Sequence, residues 1–126
     1  MYIRSESGCE AFVANDGCSI IELLHPKHMP TGLGSKLDFS LAVAEVQVNE
    51  QTYRHILDQH EVYYMLSGEG EMHIDAETAN VKAGDAIFIP AGSAQWIKNV
   101  GSVPLRFAPI VAPPWTPEGD HLLEAK

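Results

Sequence analysis

Two stretches decide the fold: His55-Ile56-Leu57-Asp58-Gln59-His60-Glu61-Val62-Tyr63-Tyr64-Met65-Leu66-Ser67-Gly68 and Gly84-Asp85-Ala86-Ile87-Phe88-Ile89-Pro90-Ala91-Gly92-Ser93-Ala94-Gln95-Trp96-Ile97-Lys98-Asn99. Each sets apolar and aromatic residues at alternating positions and ends them on a glycine or proline, the pattern of a half-buried strand closed by a turn. The same punctuation continues outward in both directions. It predicts strands over residues 11–13, 19–24, 41–48, 53–57, 62–66, 71–75, 86–89, 95–99 and 105–111. Residues 25–34, rich in Pro and Gly, read as loop. Residues 113–117 carry three prolines and read as an extended arm that cannot continue a sheet and lies over the domain or a neighbouring subunit. Residues 119–126 form at most a short helix, and no sustained helical period occurs elsewhere. Short strands in this number point to an all-β sandwich, jelly roll or closed barrel, the architectures that protect sheet edges.

The 126 residues suit one domain, divided into N-terminal strands and loop (1–40), a barrel (41–112) and a C-terminal arm (113–126). Eight Lys and Arg against 17 Asp and Glu leave 8 − 17 = −9, which argues against nucleic acid and against anionic lipid as partners. No apolar run reaches the roughly 18 residues of a membrane span. The N-terminus Met1-Tyr2-Ile3-Arg4-Ser5-Glu6 has no apolar stretch of signal-peptide type, so a cytoplasmic location is expected. In that reducing setting Cys9 and Cys18 are expected as free thiols.

The two quoted stretches resemble the two motifs of the cupin superfamily, G(x)5HxH(x)3–4E(x)6G and G(x)5PxG(x)2H(x)3N. Gly84, Pro90, Gly92 and Asn99 fall in register with the second, and His55, Glu61 and Gly68 with the first. The resemblance implies a cupin double-stranded β-helix, a jelly-roll-like barrel. It also implies a divalent metal inside the barrel, held by two motif-one histidines, the glutamate and the motif-two histidine. Here Leu57 and Gln95 stand at two of those positions, and Asn49 replaces the opening glycine. The chain is also similar to small bacterial cupins reading H-x-L, E-x-Y-x-x-L-x-G-x-G and I-P-x-G-x-x-Q-x-I-x-N, so the changes form a coherent altered pocket. A reduced set of His55, Glu61 and Gln95 would hold Zn, Mn, Fe or Ni weakly, because an amide oxygen carries no formal charge. Gln95 has a second use, since its amide can orient a substrate hydroxyl or carboxylate. No organic cofactor is implied. Small cupins of this kind commonly dimerise, and Tyr64, Trp96 and Trp115, expected on outer faces or the tail, fit a homodimer contact.

Strand parity sets the expected interior. His55 and Leu57 share a face, as do Glu61, Tyr63 and Met65, and Gln95 and Ile97. A hairpin at Ser67 to Gly70 then turns Met72 and Ile74 inward, with Phe107 completing the wall. The result is an apolar pocket (Leu57, Met65, Met72, Ile97, Phe107) with a few convergent polar groups, suited to a small-molecule ligand. In a catalytic reading Glu61 or His55 is the general base and Tyr63 donates to a developing oxyanion, giving isomerase or lyase chemistry on a sugar or oxo-acid. A metal-free sensor or carrier without catalysis is the alternative, and a purely structural partner a third. His60 and His73 are expected outside the cavity, and His25 and His28 in a solvated loop.

Overall fold

In the computed structural model, which describes residues 1–124, the alternating segments assemble into two antiparallel sheets packed face to face. The strands are β1 (Phe12–Val13), β2 (Ser19–Leu24), β3 (Ser40–Val46), β4 (His55–Leu57), β5 (His60–Ser67), β6 (Glu69–Ile74), β7 (Glu77–Lys82), β8 (Ala86–Ile89), β9 (Ala94–Asn99), β10 (Leu105–Ala112) and β11 (Asp120–Leu122). One sheet has the order β1-β2-β3-β10-β5-β8 and the other β11-β4-β9-β6-β7. The chain repeatedly crosses between sheets, which makes a cupin-type barrel in which each wall is built from distant stretches of sequence. Inward residues of both sheets (Ala44, Tyr63, Met65, Met72, Ile97 and Phe107 among them) form one apolar core. Among the described residues no helix is long and apolar enough to cross a membrane.

Nine strands match the sequence reading within a few residues, and two do not. β7, Glu-Thr-Ala-Asn-Val-Lys, is an exposed edge in which only Val81 is buried, so it carries no alternating signal. β11 replaces the expected helical end. Pro117 begins a single 3-10 turn capped by the Thr116 side chain, and the chain then pairs antiparallel with the free edge of β4, Asp120 opposite Leu57 and Leu122 opposite His55. Pairing with an open edge satisfies more backbone groups than one turn of helix.

The expected hairpin at Ser67 to Gly70 is a corner instead. β5 pairs with β10 and β8, whereas β6 pairs with β7 and β9, so the chain leaves one sheet for the other at Gly68. Gly68 has φ +85, and a Cβ there would lie 3.0 Å from Leu105 Cα and Pro104 O, so only glycine fits. Asn49 takes φ 67, as its position at the opening glycine of the motif requires. Asn99 closes one end of the barrel: its Nδ2 donates to the Val46 and Val103 carbonyls, and its Oδ1 accepts from Gly101 N–H.

Candidate functional site

Residues of β2, β3, β4, β5 and β10, with Phe12 of β1 and Asp120 of β11, surround a cavity of about 70 Å3. Ligand pockets usually measure roughly 300–1,000 Å3, so its occupant has few heavy atoms. His55, Leu57, Glu61, Tyr63 and Phe107 line it, as parity required. Met65, Met72 and Ile97 are buried but stand behind it in the closed core, and so does Gln95, whose side chain is fully enclosed. β9 lies one strand removed from the cavity, a distance that parity cannot reveal.

A hydrogen-bonded chain fixes the polar groups. Tyr63 Oη donates to Gln95 Oε1 (2.9 Å), and Gln95 Nε2 donates to Glu61 Oε1 (2.9 Å). The second oxygen of Glu61 has no protein partner among the described residues. Burial pushes the Glu61 carboxyl up to about 8, opposed by the Gln95 bond and assisted by the charges of Asp16 and Asp120. The Tyr63 hydroxyl is pushed well above its ordinary value by burial and by Glu61. Tyr63 therefore gives its proton to Gln95 rather than to the cavity. His55 Nδ1 lies 3.1 Å from the Tyr53 carbonyl, which places the proton on Nδ1 and leaves Nε2 for the cavity.

The metal implied by the family motif does not fit this donor set. Gln95 does not line the cavity, and both ends of its amide are engaged with Tyr63 and Glu61. The amide turns a donor, not a lone pair, toward Glu61. Among the described residues no three His, Cys, Asp or Glu side chains converge as metal ligands do.

Other residues at this cavity were not expected there, Asp16, Cys18, Trp115 and Asp120 among them. Asp16 is buried, and its Oδ1 accepts from Cys18 N–H (3.2 Å) and the Cys18 thiol (2.9 Å). Burial, then Asp16, pushes the Cys18 thiol well up, and both cysteines are free. The Asp16-Gly17 pair before a strand was the available signal for an Asx turn. Asp120 enters from β11, and Trp115 from the arm, turned onto the cavity rather than outward. Trp115 N–H donates to Ser40 Oγ (3.0 Å), its indole N–H to Asp120 Oδ2 (3.1 Å), and its carbonyl accepts from His25 Nε2 (2.7 Å). Nothing local in the sequence foretold this, because it depends on where β11 docks.

His25 is therefore a buried latch for the arm and not a solvated loop residue. Its Nδ1 accepts from Lys27 N–H (3.1 Å), and His28 pairs with Glu22 (3.0 Å). His60 is exposed, its Nδ1 accepting from Ala91 N–H (3.0 Å). His73 lies on the outer face, stacked on Trp96 at 3.6 Å between ring centroids.

The family model for the cupin domain matches residues 42–112. The chain is a cupin. The cupin is 38% identical over 115 residues, 90% of this chain and 87% of the other, to an uncharacterized protein of Methanocaldococcus jannaschii. It is 37% identical over 51 residues, 40% of this chain and 42% of the other, to an oxalate-binding protein of Thermotoga maritima. The polyketide cyclase RemF of Streptomyces resistomycificus superposes with TM-score 0.76 at 20% identity, covering 100% of this cupin and 87% of that chain. Oxalate decarboxylase of Bacillus subtilis superposes with TM-score 0.75 at 22% identity over 94% of this cupin. This cupin spans only 30% of that enzyme, and 34% of the Lactobacillus farciminis oxalate decarboxylase. At these identities the structural matches speak for the fold.

Proposed function

We propose that this cupin binds a small polar molecule in the barrel cavity and moves a proton on it, as an isomerase or lyase does, with Glu61 and His55 as the proton-handling pair. One observation carries the reading: both side chains are buried and line the same cavity, and among the described residues neither the second oxygen of Glu61 nor Nε2 of His55 has a hydrogen-bond partner. A carboxyl held near 8 both accepts and returns a proton close to neutral pH. Gln95 acts as a positioning residue, holding Glu61 at the cavity wall, and Tyr63, whose hydroxyl is committed to Gln95, itself lines the cavity. The oxalate-binding relative and the cyclase of the same fold support a small organic ligand. A metal is left out of the mechanism.

The test is solvent exchange. Small hydroxy- and amino-carbonyl compounds are incubated with the protein in D2O, and deuterium at the carbon beside the carbonyl is followed by proton NMR. Wild type is expected to catalyse exchange, and Glu61→Gln and His55→Ala are each expected to lose it by about 100-fold or more. Exchange retained by both variants refutes the assignment. Binding without exchange makes the protein a carrier or sensor instead.

The same proposal includes a homodimer through the outer face of the six-stranded sheet. Tyr64, Leu66 and Phe88 are 46%, 39% and 60% exposed there, an aromatic and apolar composition enriched at interfaces. Light scattering at micromolar concentration is expected to give a dimer for the wild type and a monomer for Phe88→Glu; a monomeric wild type removes the dimer.

A further inference from the structure

The walls of the cavity are not held with equal strength. Most lining residues stand on strands, where ladder hydrogen bonds fix the backbone. The turn from Ala14 to Cys18, which also lines the cavity, is tied through its backbone as well. Ala14 N–H donates to the Cys18 carbonyl (2.9 Å), and Tyr53 N–H to the Asp16 carbonyl (2.6 Å). The arm between β10 and β11 is different. Pro113, Pro114 and Pro117 have no N–H to give, and among the described residues 113–118 make no backbone–backbone hydrogen bond to the barrel. Every bond that ties this arm down involves a side chain. Ser40 Oγ accepts from Trp115 N–H (3.0 Å), and His25 Nε2 donates to the Trp115 carbonyl (2.7 Å). Gln59 Nε2 donates to the Pro114 carbonyl and to Thr116 Oγ1 (3.3 Å each). Asp120 Oδ2 accepts from the indole (3.1 Å), and Lys27 Nζ stands 5.8 Å from the ring centroid. Pro113 and residues 116–118 are exposed, whereas Trp115 is half-buried and is the arm residue that lines the cavity.

We infer that Trp115 is the gate and the size-determining residue of the cavity. The arm 113–118 swings outward to admit the ligand, and in the closed position the indole confines the cavity to molecules of a few heavy atoms. A solvent-exposed segment without ladder bonds opens at far lower free energy than the strands beside it, so entry follows the arm and not a parting of the sheets. The closed volume of about 70 Å3 is well below the roughly 300–1,000 Å3 of ordinary ligand pockets, and the ring occupies part of that difference. Closing the arm again shuts bulk water away from Glu61 and His55, which also line the cavity. The inference rests on the cavity being the binding site and assigns the residue that controls its access and size.

Cys18 lines the cavity, so the rate at which a small reagent reaches its thiol reports entry, and Cys9, which does not line it, is the internal reference. Wild type, His25→Ala, Gln59→Ala and Trp115→Ala are treated with iodoacetamide at pH 8, and mass spectrometry follows both thiols. Amide hydrogen exchange in β5 and β10 is measured alongside. His25→Ala and Gln59→Ala are each expected to speed Cys18 about tenfold, with Cys9 and the barrel amides unchanged. Trp115→Ala is expected to speed Cys18 further and to bind free indole saturably, read as 15N amide shifts at residues 55 and 61. Wild type is expected not to bind indole there. If Trp115→Ala loses the amide spectrum of the folded protein, Trp115→Leu takes its place with benzene as the probe. Cys18 rates unchanged in all the variants overturn the gate. Rates that rise only in step with the barrel amides also overturn it, because the thiol is then reached by opening of the barrel. Aromatic-probe binding that is equal in wild type and the Trp115 variant, or absent from both, overturns the size limit. None of these readings uses turnover, so a failed deuterium-exchange assay removes the proposed proton transfer and leaves the gate to be decided by Cys18.

Discussion

Replacing Glu61 by Gln is expected to stabilise the folded protein at neutral pH, by an amount that grows with pH in a defined window. The wild-type carboxyl is held at about 8 in the fold against an ordinary value of 4.5. A raised carboxyl binds its proton more tightly when folded, so its contribution is most favourable below 4.5 and is lost as pH rises toward 8. The interval from 4.5 to 8, at about 1.36 kcal/mol per pH unit, amounts to about 5 kcal/mol in full. Between the limits, linkage gives a destabilisation from Glu61 of about 1 kcal/mol at pH 5, about 3 at pH 7 and about 4 at pH 8. Glutamine keeps the geometry, since its Oε1 still accepts from Gln95 Nε2, but it has no proton to lose. Urea unfolding of both proteins, followed by Trp96 and Trp115 fluorescence at pH 5, 6, 7 and 8, measures the difference directly. The stability gap between variant and wild type should widen by about 2–3 kcal/mol from pH 5 to pH 7. A gap that stays flat, or a variant less stable than wild type at pH 7, refutes the claim that burial holds this carboxyl protonated. A large gap would also mean that the fold tolerates substantial destabilisation to keep a titrating group at the cavity, as functional sites often do.

Other perturbations test the surrounding structure. Tyr63→Phe removes the bond to Gln95 and should cost about 1 kcal/mol in urea unfolding while leaving the pH dependence from Glu61 in place. His25→Ala frees the Trp115 carbonyl and the Lys27 amide, so hydrogen exchange over residues 113–122 should quicken roughly tenfold, with the barrel strands unchanged. Gly68→Ala places a Cβ against the Leu105 and Pro104 backbone at φ +85 and should lower stability by about 1–3 kcal/mol; a neutral effect would show that the corner can relax. Iodoacetamide at pH 8 should modify Cys9 and spare Cys18, whose thiol is buried, bonded to Asp16 and pushed up; mass spectrometry of the digest reads both sites.

The legibility of this protein divides along physical lines. Strand positions and inward faces were readable because alternation is a local consequence of burial on one side, and His55, Leu57, Glu61, Tyr63 and Phe107 fell on the cavity as parity required. β7 was not readable, because an edge strand exposed to water on both sides needs no alternation. The Gly68 corner was read as a hairpin because a tight turn between strands looks the same in sequence whether or not the strands pair with each other.

Sequence alone determined the family motifs, the barrel, the inward set and the change of two motif histidines to Leu57 and Gln95. What became of those changes was settled only in three dimensions. Gln95 stands behind the cavity because β9 lies one strand away, and its amide is consumed by Tyr63 and Glu61. Asp16, Trp115 and Asp120 reach the same wall from both ends of the chain, about a hundred residues apart. Periodicity records which way a side chain faces. It does not record which distant strand faces it, and the charge of this cavity depends on that second fact.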